Sequence, residues 1–219
     1  MIISRQKNSI IGNISVIIAA IVIFLVWYKV IEYVGIKASL EYHLILTHLA
    51  GVIFLMVTVF QYHKWIAPIG IGHIRQPLSV LLATAVTAIY IIEFIYNKFT
   101  HQPPETWFFD VLNIPKWPLI CNLFTFFILV PVGEEILFRG ILLNLFITNK
   151  TWTTWVGVVL TSLLFTAIHQ QYHNTIAFFE IMVFAVIYAI ARIRSKGLLL
   201  PILLHSFTCV LGILFYYMR

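Results

Sequence analysis

Two adjacent carboxylates, Glu134 and Glu135, and a guanidinium four residues further on, Arg139, stand in the otherwise apolar run Val130-Pro131-Val132-Gly133-Glu134-Glu135-Ile136-Leu137-Phe138-Arg139-Gly140. A charged side chain at the centre of a membrane-spanning helix costs roughly 2.5–3.5 kcal/mol, so three charges this close together mark a candidate functional site. On a helix Glu135 and Arg139 lie one turn apart with the acid toward the N-terminus, the favourable order for an ion pair. Glu134, rotated by about 100°, faces Leu137 and Phe138 instead. The spacing predicts one carboxylate neutralised by the arginine and a neighbour left available. Two imidazoles follow downstream in apolar sequence: His169, four residues after Phe165, and His205, four residues before Cys209.

These groups in a dry cavity suit hydrolysis by an activated water. Desolvation penalises an ionised carboxylate and so makes one without a cation a better base. One imidazole can hold the same water or return a proton to the leaving amine, and a second can donate to the developing oxyanion. The plainer alternative is an ion triad that only stabilises a helix bundle. No serine or cysteine nucleophile has an arranged base: Cys209 and His205, one helical turn apart, point outward in parallel. Two histidines and a glutamate would suit zinc, but the His-Glu-x-x-His spacing is absent and a carboxylate paired with Arg139 is a poor ligand. The expectation is no metal and no cofactor.

The elements that must position these residues are set by composition. The chain is 61% hydrophobic and 10% charged, whereas a soluble domain carries about a quarter charged residues. An integral membrane protein is expected, with lipid as a partner, and the formal charge of +6 is then no argument for nucleic acid. Cys121 and Cys209 both sit in apolar runs, against a disulfide framework. Arg5 and Lys7 precede an apolar run too long for a signal-peptide core and without a small-residue cleavage site, which reads as an uncleaved first span.

Apolar runs of spanning length predict an all-α polytopic transmembrane bundle with helices near 10–34, 43–62, 78–96, 119–147, 154–169, 175–193 and 198–217. The count is seven, or eight if the fourth splits. At about 29 residues and roughly 43 Å, the fourth exceeds a hydrocarbon core of about 30 Å, so it must tilt, kink at Pro131-Val132-Gly133, or divide. Inner segments would carry Arg5, Lys7, Lys64, Arg75, Lys150, Arg192, Arg194 and Lys196, and outer ones Lys37, Lys98, Lys116 and Arg219. This bias puts the N-terminus in the cytoplasm and the C-terminus outside.

The chain reads as one membrane domain over 1–219, with spans lacking motifs in 1–118 and the chemistry-bearing part in 119–219. The connection 97–118, with Pro103, Pro104, Trp107, Phe108, Phe109 and Trp117, reads as an interfacial loop or short surface helix; a flap over the site is the alternative. Counted from the inner helix ends, Glu134 lies roughly 20 Å up, His169 roughly 22–25 Å and His205 roughly 10 Å. His173 reads as part of an outer turn. Glu93 reads as reaching water at a helix end, and Glu180 as a helix-to-helix hydrogen bond or a support beside the site. His43, His48, His63, His73 and His101 read as loop or near-loop residues, Asn122 and Asn144 as interhelical bonds.

Glu134-Glu135-x-x-x-Arg139, Phe165-x-x-x-His169 and His205 in the last span, together with Phe138-Arg139-Gly140 and Leu200-Pro201-Ile202-x-x-His205, resemble the CAAX protease and bacteriocin-processing family, also called CPBP or Abi. The resemblance covers roughly 119 to the C-terminus. It implies a metal-independent, glutamate-dependent intramembrane endopeptidase cutting near the C-terminus of a membrane-associated peptide or protein. Glu134 with His169 would activate water, and His205 with the residue four later would form the oxyanion hole, supported by Glu135 and Arg139. The family usually has asparagine where this chain has Cys209, a weaker donor. Either His205 works largely alone, Thr208 or Ser206 substitutes, or activity is reduced. A non-enzymatic bacteriocin self-immunity or regulatory protein is the second reading, a proton-coupled transporter the third. The bacterial look of the motifs suggests a bacterial cytoplasmic membrane.

Overall fold

Apolar runs surrounded by lipid leave the backbone no partner except its own carbonyls, so they must become helices. The computed structural model describes residues 10–101, 105–172 and 174–218, and these form helices and turns without a strand. Arg5, Lys7, Pro103, Pro104, His173 and Arg219, to which the sequence assigns places, lie outside the described residues. The helices are α1 (Ile10–Lys37), α2 (His43–Trp65), α3 (Gln76–Thr100), a short α4 (Thr106–Leu112), a composite α5 (residues 116–146), α6 (Thr151–Ile168), α7 (Thr175–Ser195) and α8 (Leu199–Met218). Six of them, all but α4 and α5, are long and apolar enough to cross a membrane. The expected all-α polytopic bundle is the architecture found, with ends shifted by a few residues. The chain is an integral membrane protein.

Helix α5 meets the length problem without dividing. It runs as α-helix over Lys116–Phe124, π-helix over Thr125–Leu129, α-helix over Val130–Glu135, π-helix over Ile136–Leu142 and a closing 3₁₀ turn over Leu143–Phe146. Val130 N–H bonds Thr125 O, five residues back. That wide turn comes just before Pro131, whose ring would otherwise press on the carbonyl four residues behind it. Leu143 N–H likewise reaches back to Phe138 O. An extra residue per turn re-aims the side chains that follow; the acidic pair immediately precedes this second departure and Arg139 lies within it.

Helix α5 threads the centre of the bundle, touched by α1, α2, α6, α7 and α8, while α3 packs outside on α7 and α8. Ile136, Leu137, Phe138, Ile141 and Leu142 form the core with Leu55, Phe165 and Ala185. At one end the α2–α3 connection interlocks with the α7–α8 turn. Leu198 N–H bonds Gly70 O (3.1 Å), Leu199 N–H bonds Ile71 O (3.0 Å) and His73 N–H bonds Ser195 O (3.1 Å). Gly72 sits there at φ +78°, and a Cβ on Gly197 would strike the backbone of Ile71 and Gly72. The first turn of α8 is therefore enclosed, with Leu198, Leu200 and Leu204 buried. His205 follows within the next turns and comes level with Glu134 on α5, 3.9 Å from it.

Candidate active site

The acidic pair divides as its rotation on the helix requires. Glu135 is wholly buried, and its Oε1 meets Arg139 Nη1 at 3.2 Å and His205 Nδ1 at 3.0 Å. Arg139, 1% exposed, also donates from Nη2 to Ala185 O on α7 at 2.9 Å. Its guanidinium lies over the rings of Phe165 (4.4 Å) and Tyr188 (5.3 Å), contacts worth about 2 kcal/mol when desolvated. The Arg139 carbonyl, in the π segment, accepts from Arg192 Nε at 3.2 Å. One arginine thus ties α5 to α6 and α7, and Glu135 ties α5 to α8.

Glu134 faces the other way. Its Oε2 lies 3.7 Å from His169 Nε2 and 3.9 Å from His205 Nε2, beyond direct hydrogen bonding, and is a buried atom without a hydrogen-bond partner. His169 is not on a helix face, as its spacing from Phe165 suggested. Helix α6 ends at Ile168 and His169 is its C-cap, φ −84°, ψ 56°. Its Nδ1 is 2.6 Å from Phe165 O. A carbonyl only accepts, so Nδ1 carries the proton, and in a neutral ring Nε2 presents a lone pair toward Glu134. His205 is held between Glu135 and a stacked Tyr188 ring, centroids 4.8 Å apart.

These residues open on a cavity of about 510 Å³. Its floor is Glu134, His169 and His205, and its wall includes Trp107, Phe108 and Tyr172. Cys209 lines it one turn beyond His205. Of the two residues considered as stand-ins for Cys209, Thr208 lines the cavity but its hydroxyl is engaged, donating to Leu204 O at 2.9 Å, and Ser206 lies off the cavity.

Several expectations for the surroundings change. Helix α4 turns Trp107 and Phe108 into the cavity, leaving Phe109 and Trp117 exposed. The connection thus holds a short helix, as expected, and that helix is also part of the site's wall. His48, expected to be a loop or near-loop residue, lies within α2 and lines the cavity. Glu93 and Glu180 line the cavity too, and Glu93 Oε1 accepts from Asn97 at 2.7 Å. Asn122 does bond between helices, to Val111 O at 3.1 Å. Among the described residues no three His, Cys, Asp or Glu side chains are grouped to hold a metal ion.

Residues 116–211 match the family model described as type II CAAX prenyl endopeptidase Rce1-like. The matched segment begins with α5 and ends in α8, so it contains the whole carboxylate–imidazole constellation. The chain belongs to the Rce1-like family. It is also 40% identical over 177 residues to an Escherichia coli protein described as an uncharacterized 24.3 kDa protein, covering 79% of this chain and 81% of that one. No solved structure matches. An Rce1-like chain is a CAAX-type protease-family membrane protein, and the resemblance stated from its motifs is the family found.

Proposed function

We propose that this Rce1-like protein is a glutamate-dependent intramembrane endopeptidase that cuts near the C-terminus of a membrane-associated peptide or protein. The observation that carries the reading is the placing of Glu134 Oε2, buried and within 4 Å of two imidazole Nε2 atoms at the floor of an aromatic-walled cavity. Polar groups separated by slightly more than a hydrogen bond suit one shared water. That water donates one hydrogen bond to Glu134 and the other to His169 Nε2, so that an oxygen lone pair aims at the scissile carbonyl. As oxygen attacks carbon, Glu134 takes the proton. The carbonyl π pair moves to oxygen, and the oxyanion accepts from His205 Nε2–H. Collapse breaks the C–N bond, and the proton held by Glu134 passes to the leaving amine. Glu135, bonded to His205 Nδ1 and Arg139, holds the ring that meets the oxyanion. No metal or cofactor has a part in these steps.

The membrane is read as a bacterial cytoplasmic membrane with the N-terminus inside, on the excess of basic residues in the inner segments. Cys209 favours a second reading, a binding-only self-immunity or regulatory protein. A thiol is a weak donor, Thr208 is committed elsewhere, and loss of one oxyanion donor costs about 10²–10³ in rate.

Reconstitution in liposomes with a membrane-anchored reporter peptide separates the readings. Cleavage by wild type, abolished in His169→Ala and His205→Ala and unaffected by chelators, supports the protease. Absence of cleavage by wild type across a peptide panel, with peptide binding retained, supports the binding protein. Cleavage that persists in Glu134→Gln but disappears in Cys209→Ala contradicts the activated-water mechanism.

A further inference from the structure

The imidazole nearest Glu134 is carried beyond a helix end, so its placement depends on the segment from His169 to the start of α7 at Thr175. That segment is tied to α4. Glu105 Oε1 accepts the N–H of Asn174 at 3.1 Å, across 69 positions of sequence. Asn174 is the N-cap of α7, with its side chain accepting from Ile176 N–H at 2.9 Å. The Glu105 carboxylate thus sits where the dipole of α7 favours a negative charge. Two residues on, the Trp107 ring meets Tyr172 edge to face at 5.3 Å, and Tyr172 N–H bonds His169 O at 3.3 Å. Helix α4 is itself anchored, by Asn122 on Val111 O and by Phe108 stacked on Tyr216 of α8 at 5.2 Å.

We propose that Glu105 and Trp107 are positioning residues, a clamp by which α4 fixes the loop that carries His169 and so sets the distance from its Nε2 to Glu134. The catalytic half of this inference rests on the protease reading; the structural half does not. A misplacement of about 1 Å in a reacting group costs on the order of 10² in rate. Removing a hydrogen bond accepted by a carboxylate loosens its donor by a factor of about ten or more.

The test uses the full chain in nanodiscs, as wild type, Glu105→Ala, Glu105→Gln, Trp107→Leu and Glu134→Gln. Amide hydrogen exchange over 169–176 is expected to rise at least about tenfold in Glu105→Ala and to stay near wild type in Glu105→Gln, which keeps the acceptor oxygen, and in Glu134→Gln. With the reporter peptide, Glu105→Ala is expected to lose about 10–100-fold in kcat with KM unchanged, and Glu105→Gln to recover most of it. Should Glu105→Ala fail to fold, Trp107→Leu must give the same rise in exchange and a loss in kcat of the same order. Unchanged exchange overturns the clamp. Faster exchange with unaltered kcat overturns the positioning role. If wild type cleaves nothing, the protease reading fails by itself, and the exchange result still decides the clamp.

Discussion

Replacing Arg139 by methionine removes the cation that joins three helices and keeps a side chain of similar length. The losses are the 3.2 Å contact with Glu135, the 2.9 Å bond to Ala185 O and the cover over Phe165 and Tyr188. Breaking a buried ion pair from one side costs about 3–5 kcal/mol, because the remaining charge is stranded. Here Glu135 keeps His205 at 3.0 Å, so the expected loss lies near the lower bound, about 3 kcal/mol. For a chain of this size that is a fall in Tm of roughly 6–12 °C. The assay is a thermal melt in detergent on a double-mutant cycle of Glu135→Gln, Arg139→Met and both. The double variant is expected to be more stable than the sum of the singles implies by about 1–3 kcal/mol, since the two side chains share one network. A single variant melting within about 2 °C of wild type, or strictly additive losses, would refute the claim that this pair holds α5 against α6, α7 and α8.

Three further outcomes follow from packing. Gly157→Ala puts a methyl group into the Phe146 ring where α6 crosses the end of α5; a loss of about 1–3 kcal/mol, read as a lower melting temperature, is expected. Gly197→Ala meets backbone on the α2–α3 connection rather than a movable side chain, so little monodisperse protein should be recovered by size-exclusion chromatography. Tyr90→Phe removes the 3.0 Å bond to Thr208 O that ties α3 to α8 and should lower stability by about 0.6 kcal/mol, a change in melting temperature too small to impair folding.

The spans were legible because lipid makes run length and apolarity almost sufficient to specify a helix. The pairing of Glu135 with Arg139 was legible too, being a matter of one turn within one helix. What could not be read was everything depending on two distant segments at once. The bond from Arg139 to Ala185 and that from Arg192 to the Arg139 carbonyl cross 46 and 53 positions, and no periodicity encodes them. The π turns flanking residues 130–135 were anticipated only as a kink, since Pro131 announces a disturbance but not its form. His48 escaped because proximity to a helix start says nothing about which face meets the cavity. The apolar pattern puts His169 on the helix rather than just past it, because helix ends are set by local capping that the pattern does not record. Glu105, in a polar connection, carried no signal until Asn174 appeared beside it.

The account depends most on Glu134 acting as the base. Its isosteric replacement by glutamine, assayed in liposomes at saturating reporter peptide, tests this directly. A general base contributes about 10²–10⁴ in rate, so Glu134→Gln should lower kcat by that factor. It should also melt no lower than wild type, because a buried carboxylate whose Oε2 lacks a hydrogen-bond partner serves chemistry at the expense of stability. Cleavage by Glu134→Gln within tenfold of the wild-type rate would contradict the account.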